Sequence, residues 1–107
     1  MQHWMTKAEK LFHKIAAEIP GAQEGKMFGV YCLKTPKNKA IAIFWKDKMM
    51  FKLRGKSEQE ALSLSGAKTG THIYNADRQM KGWVWIPSKH SDKWKKFAKA
   101  AVTELEK

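Results

Sequence analysis

At 107 residues, 43% hydrophobic and 29% charged, the chain has the size and composition of one globular domain, which excludes two independent cores and a disordered chain. Lysine and arginine number 21 against 10 aspartates and glutamates, a formal net charge of +11, so the partners to expect are anionic: nucleic acid, anionic membranes or acidic proteins. A single cysteine, Cys32, excludes an internal disulfide framework.

The opening residues show no basic stretch followed by an apolar run, so no secretory signal is read there. The longest apolar run, 40–45, is far short of the ~20 residues that span a bilayer. A cytoplasmic protein without a membrane partner is the expectation. Residues 2–19 predict an amphipathic helix, because Trp4, Ala8, Leu11, Phe12, Ile15 and Ile19 recur at helical spacing. Pro20-Gly21 stops it.

Three strands follow, at 27–33, 39–46 and 49–54, separated by turns at 35–38 and 46–48. Turns this short make the strands antiparallel, since a parallel pair needs a crossover of a dozen or more residues. After Gly55, the spacing Ser57-Glu58-Gln59-Glu60 predicts a capping box and a short helix to about residue 64. Strands at 70–75 and 82–87 come next, the second ended by Pro87. A last helix over 91–106 carries Trp94, Phe97, Ala98, Ala101, Val102 and Leu105 on its apolar stripe.

The order α-β-β-β-α-β-β-α predicts a two-layer α+β domain: a five-stranded antiparallel sheet with helices packed mainly on one face. The second strand is apolar on both faces, so something must also cover the other face. The short helix, a long loop or a second subunit are the candidates. Trp83 and Trp85, two residues apart, share one side of their strand.

Lys26-Met27-Phe28-Gly29, the basic third strand with Lys52, Ser65-Gly66-Ala67, and the run from Arg78 through Met80-Lys81-Gly82-Trp83-Val84 to Pro87 follow one another in a pattern that resembles the N-terminal domain of the TfoX/Sxy family of competence regulators. The element order is also similar to the MmcQ/YjbR group. The resemblance spans roughly residues 20–105. It implies a single TfoX N-terminal-like domain in a non-enzymatic regulatory role, acting with a transcription protein. Met27, Phe28, Gly29, Met80, Lys81, Trp83 and Pro87 are its motif residues.

The residues themselves show no catalytic constellation. The four histidines have no metal-ligand spacing, and no nucleophile elbow, phosphate-binding glycine loop or dinucleotide fingerprint occurs. Asp77, Asp92 and Glu104 are lone carboxylates, Glu9 and His13 make an i, i+4 pair on a helix surface, and Cys32 reads as a buried, inert thiol. No catalytic residue, cofactor or metal is expected.

Charge placement is more informative. Residues 26–56 hold Lys26, Lys34, Lys37, Lys39, Lys46, Lys48, Lys52, Arg54 and Lys56 against Asp47 alone. Lysines at strand ends also block edge-to-edge aggregation, and tryptophans in strands also build cores. Together with Arg78, Lys81 and Trp83, the cations from Lys34 to Lys56 form the candidate surface for nucleic acid or an acidic protein face. Lys52, Lys81, Arg78 and Trp83 make a candidate anion pocket if the third and fifth strands are neighbours. The alternative is a self-associating interaction domain: an uncovered, tryptophan-bearing face predicts a weak homodimer favoured by salt.

Overall fold

The computed structural model describes residues 6–27 and 29–105, the side chains of Met27, Ala76 and Leu105 excepted. The expectations for Trp4, Phe28 and the Leu105 side chain lie outside it. Helix α1 is Lys7–Glu18. The strands are β1 Gln23–Met27, β2 Val30–Lys34, β3 Ala40–Trp45 and β4 Lys48–Lys52. Helix α2 is Gly55–Leu62, β5 and β6 are Lys68–His72 and Asn75–Pro87, and a 3-10 turn, Ser88–Lys93, leads into helix α3, Trp94–Leu105.

The fold is α+β, as expected, but the antiparallel sheet has six strands in the order β1-β2-β3-β4-β6-β5. The missed strand is β1, whose sequence Gln-Glu-Gly-Lys-Met carries no alternating apolar signal. It pairs with β2 through Met27 and Val30, and Gly29 takes φ +81 in the turn between them. The predicted strand 27–33 therefore ran across a turn. The edge strands β1 and β5 are both short, polar and lysine-bearing, which suits positions with unpaired backbone groups.

The capping box of α2 does not form. Glu104 of α3 accepts from the Arg54 backbone N–H at 2.9 Å and also holds the Ser57 hydroxyl, while Glu60 reaches Lys96 instead of turning back. Helix α1 does have a side-chain cap: the Thr6 hydroxyl accepts from the Glu9 N–H at 3.1 Å and donates to Asp47 at 2.7 Å. Asp47 belongs to the β3–β4 turn, where Lys46 and Asp47 have φ of 50° and 61°, the left-handed pair that matches hairpin twist.

All three helices lie on one face. Phe12, Ile15, Ala61, Trp94, Phe97 and Ala101 pack with Leu33, Phe44, Phe51, Val84 and Ile86. The Trp94 indole N–H donates to the Ile86 carbonyl at 3.2 Å, so its burial leaves no polar group unpaired. Ile41 is an extra residue in β3, because Lys34 pairs with Ala40 while Leu33 pairs with Ala42. This bulge sends Ile41 and Ala42 to the same core.

The opposite face is covered by the chain itself, through its β5–β6 hairpin and not through α2. Val30, Cys32, Ile43, Met50, Trp83 and Trp85 form a second buried cluster, with Trp45, Ile73 and Met80 partly buried against it. Ile73 and Met80 belong to the β5–β6 hairpin, which bends back over the sheet as an arm. Between the pairs Thr69–Val84 and Thr71–Gln79, β6 advances five residues while β5 advances two. Gly82, at φ +83, lies in that surplus. At Gly70 the arm comes so close that an added Cβ would stand 2.4 Å from the Trp83 Cβ and 2.6 Å from the Met50 sulfur. The Trp85 indole N–H donates to the Thr71 hydroxyl at 3.1 Å. The predicted strand 70–75 thus ends at His72, and Ile73 and Tyr74 turn at the tip.

Gly70→Ala is expected to lower unfolding stability by about 3 kcal/mol through overpacking, measured by urea denaturation. Gly82→Ala should lose about 1–2 kcal/mol from its left-handed backbone. Wild-type stability in both would mean that the arm does not lie where described.

Candidate nucleic-acid interface

Strand register gathers most of the candidate cations at one end of the sheet. Lys34 closes β2, and Lys37 and Lys39 lie in the turn that leads to β3. The Thr35 N–H donates to the Lys39 carbonyl at 2.9 Å and the Asn38 N–H to the Thr35 carbonyl at 2.8 Å, while the Thr35 hydroxyl accepts from the Lys39 N–H at 3.3 Å. Lys52 ends β4 opposite Trp83. The Leu53 N–H donates to the Gly82 carbonyl at 2.7 Å, which sets Arg54 and Lys81 on either side of this junction. Lys56 lies in the first turn of α2.

Six cations therefore crown the ends of four adjacent strands, with Lys56 beside them. Lys37, Lys39, Arg54, Lys56 and Lys81 are exposed, and Lys34 and Lys52 half-buried. Among the described residues none of the seven is in an ion pair. Four carboxylates are engaged elsewhere. Glu18 pairs with Lys95 at 3.3 Å, Glu24 with His13 at 2.6 Å, Asp92 with Lys93 at 3.7 Å and Glu60 with Lys96, all on the helical side or at the β1 edge. Glu104 is the carboxylate nearest the cluster, and it is bound to Arg54 and Ser57.

Of the remaining candidates, Lys46 and Lys48 lie apart from this end. Lys46 and Lys48 flank the β3–β4 turn at the opposite end, with ammonium groups 5.4 Å from the Trp45 ring centroid and 4.8 Å from the Trp85 ring centroid. Arg78 is exposed on the arm, and Trp83 is buried under it. The third and fifth predicted strands, now β4 and β6, do pair, and Lys52 faces Trp83 on the arm side. Lys81 follows Met80, which packs into the arm-side cluster. Lys81 is exposed and lies within the irregular stretch between Gln79 and Val84. Pro87 pairs with Lys48 at the end of β6.

The expected Glu9–His13 surface pair is replaced in part: His13 bonds Glu24 across the α1–β1 gap and meets the Tyr31 ring edge at 4.9 Å between centroids. Sequence reading also missed Glu104, since its partners lie some 50 residues away, and the exposed Tyr74, since that residue was assigned to the interior of a strand. No three histidine, cysteine or acidic side chains converge among the described residues, and no helix among them is long and apolar enough to cross a membrane. No protein-family model, curated protein or solved structure matches the chain.

Cys32 is fully buried beneath the arm. Desolvation pushes its thiol above the ordinary cysteine value, against a smaller opposing pull from the Lys34 charge. The nucleophilic form is the thiolate, so an aromatic disulfide reagent near neutral pH should react at least about a hundredfold more slowly with native protein than with unfolded chain. Equal rates would mean that the arm opens freely.

Proposed function

We propose that this chain is a non-enzymatic regulatory module that binds the phosphates of nucleic acid with the basic end of its sheet. The observation that carries the reading is the crown of Lys34, Lys37, Lys39, Lys52, Arg54 and Lys81, without ion pairs among the described residues, in a chain of net charge +11. Unpaired cations on strand ends and turns are suited to positioning a phosphate backbone, and they present no helix to read base edges. Binding is therefore weak and tolerant of sequence. The likeness to the TfoX/Sxy N-terminal domain supports the regulatory part of the proposal. Trp83 and Trp85, on which the self-association alternative rested, are buried beneath the chain's own arm.

If about four of these side chains meet phosphates, log K should fall against log salt with a slope of roughly −3.6 for duplex DNA, measured by fluorescence anisotropy. Reversing Lys34, Lys39 and Lys52 to glutamate should abolish binding. The same reversal at Lys7, Lys10 and Lys14 of α1 should weaken it far less. Equal losses in the two triple variants would assign the effect to net charge alone, and absence of binding to any nucleic acid at low salt would refute the proposal.

A further inference from the structure

The tip of the arm brings aromatic and cationic groups together at the end of the sheet away from the basic crown. Tyr74 is 64% exposed, against 39% for Leu62, the other large hydrophobic side chain described as exposed. Its ring meets Trp45 edge-on, with centroids 5.9 Å apart and planes at 76°. The hydroxyl points toward the β1–β2 turn, where a Cβ on Gly29 would be 4.0 Å away. The His72 ring is 6.1 Å away between centroids. The Tyr74 ring thus neighbours two others, yet most of its surface faces solvent.

Lysine ammonium groups stand over Trp45, which this ring touches, and over Trp85. The Lys46 ammonium stands 5.4 Å from the Trp45 centroid, so Lys46 and Tyr74 contact the same indole. Lys48 pairs with Trp45 across the hairpin and places its ammonium over Trp85. The two-residue turn at Lys46-Asp47 has both residues in the left-handed region, and the Asp47 carboxylate is bound by the Thr6 hydroxyl. The nearest other carboxylate on the arm is Asp77, beyond the tip.

We propose that Tyr74, packed edge-on against Trp45, is a stacking platform for an unpaired nucleobase, and that Lys46 and Lys48 hold the adjoining phosphates. The chemical class is single-stranded DNA or RNA. Every base has a π-face, so stacking on an aromatic beside cations binds a single strand without reading its sequence. A duplex offers no free base face to such a ring except at its ends. This inference rests on the nucleic-acid reading above and adds to it a preference for single strands and a second contact region.

The test compares three probes at low salt: an oligothymidylate, an abasic strand of equal length and charge, and a duplex. Wild-type protein should bind the oligothymidylate about tenfold more tightly than the abasic strand. Tyr74→Ala should remove that difference and leave abasic and duplex binding unchanged, while Tyr74→Phe, which keeps the ring, should retain it. Lys46→Gln with Lys48→Gln should weaken both single strands. Equal binding of the thymidine and abasic strands by wild-type protein overturns the platform and leaves the phosphate-binding reading intact. Absence of binding to all three probes overturns both. Thermal unfolding of Tyr74→Ala at the wild-type temperature excludes loss of the arm as the cause, and a second arm-tip variant, Asn75→Ala, should bind all three probes as wild type does.

Discussion

The absence of a side chain at Gly70 is the constraint on which the rest of the molecule depends. Only a bare backbone fits between the Trp83 Cβ and the Met50 sulfur at this point, and this contact lets β5 swing over the sheet. The arm then brings Ile73 and Met80 onto a face that otherwise shows Val30, Cys32, Ile43, Met50, Trp83 and Trp85 to water. Burying each large side chain of that set is worth about 1.5–3 kcal/mol. Left open, the face would be a contiguous apolar patch of the kind that drives association. Closure of that face within one chain also fixes the tip, and with it the exposed ring of Tyr74.

Charge is segregated with equal clarity. Five carboxylates lie in the helical layer or at the β1 edge, where they pair with His13, Lys93, Lys95 and Lys96 or tie α2 to α3 through Glu104. The strand ends keep their lysines unneutralised. Like charges gathered this way repel, and the cost is moderated by screening beyond about 8 Å at physiological salt. An anionic partner that relieves the repulsion gains on-rate from the summed field as well as contact energy. The basic crown and the aromatic tip lie at opposite ends of the sheet strands, so one extended polyanion would have to run along the arm to reach both.

Much of this was legible from residues alone. Phe12 and Ile15 on one helix, Trp94 and Phe97 on another, and the two-sided apolar run of β3 announced their elements and the need to cover both sheet faces. Trp83 and Trp85 were placed on a common face by their spacing. What failed carried no apolar periodicity or depended on distant contacts. The polar strand β1 exists because Met27–Val30 pairing closes a hairpin, a signal that hydrophobic alternation does not carry. Glu60 matched a local capping pattern, but Lys96 and Glu104 from α3 took over both halves of it. The two tryptophans were assigned to an open face because nothing local says that a later hairpin bends back. The bend is written in Gly70 and Gly82, and an isolated glycine in a strand reads equally as a bulge or a close approach. The basic residues were identified by composition, but their division into a crown at one end and Lys46 and Lys48 at the other required the register.

The most direct test of the account is a nuclear Overhauser measurement on the isolated protein, read at the arm. Closure predicts cross-peaks from the Gly70 α-protons to the Met50 methyl and from the Tyr74 ring to the Trp45 indole. Absence of both, with the β3–β4 and β4–β6 backbone contacts intact, would show the arm standing away from the sheet and would contradict the account.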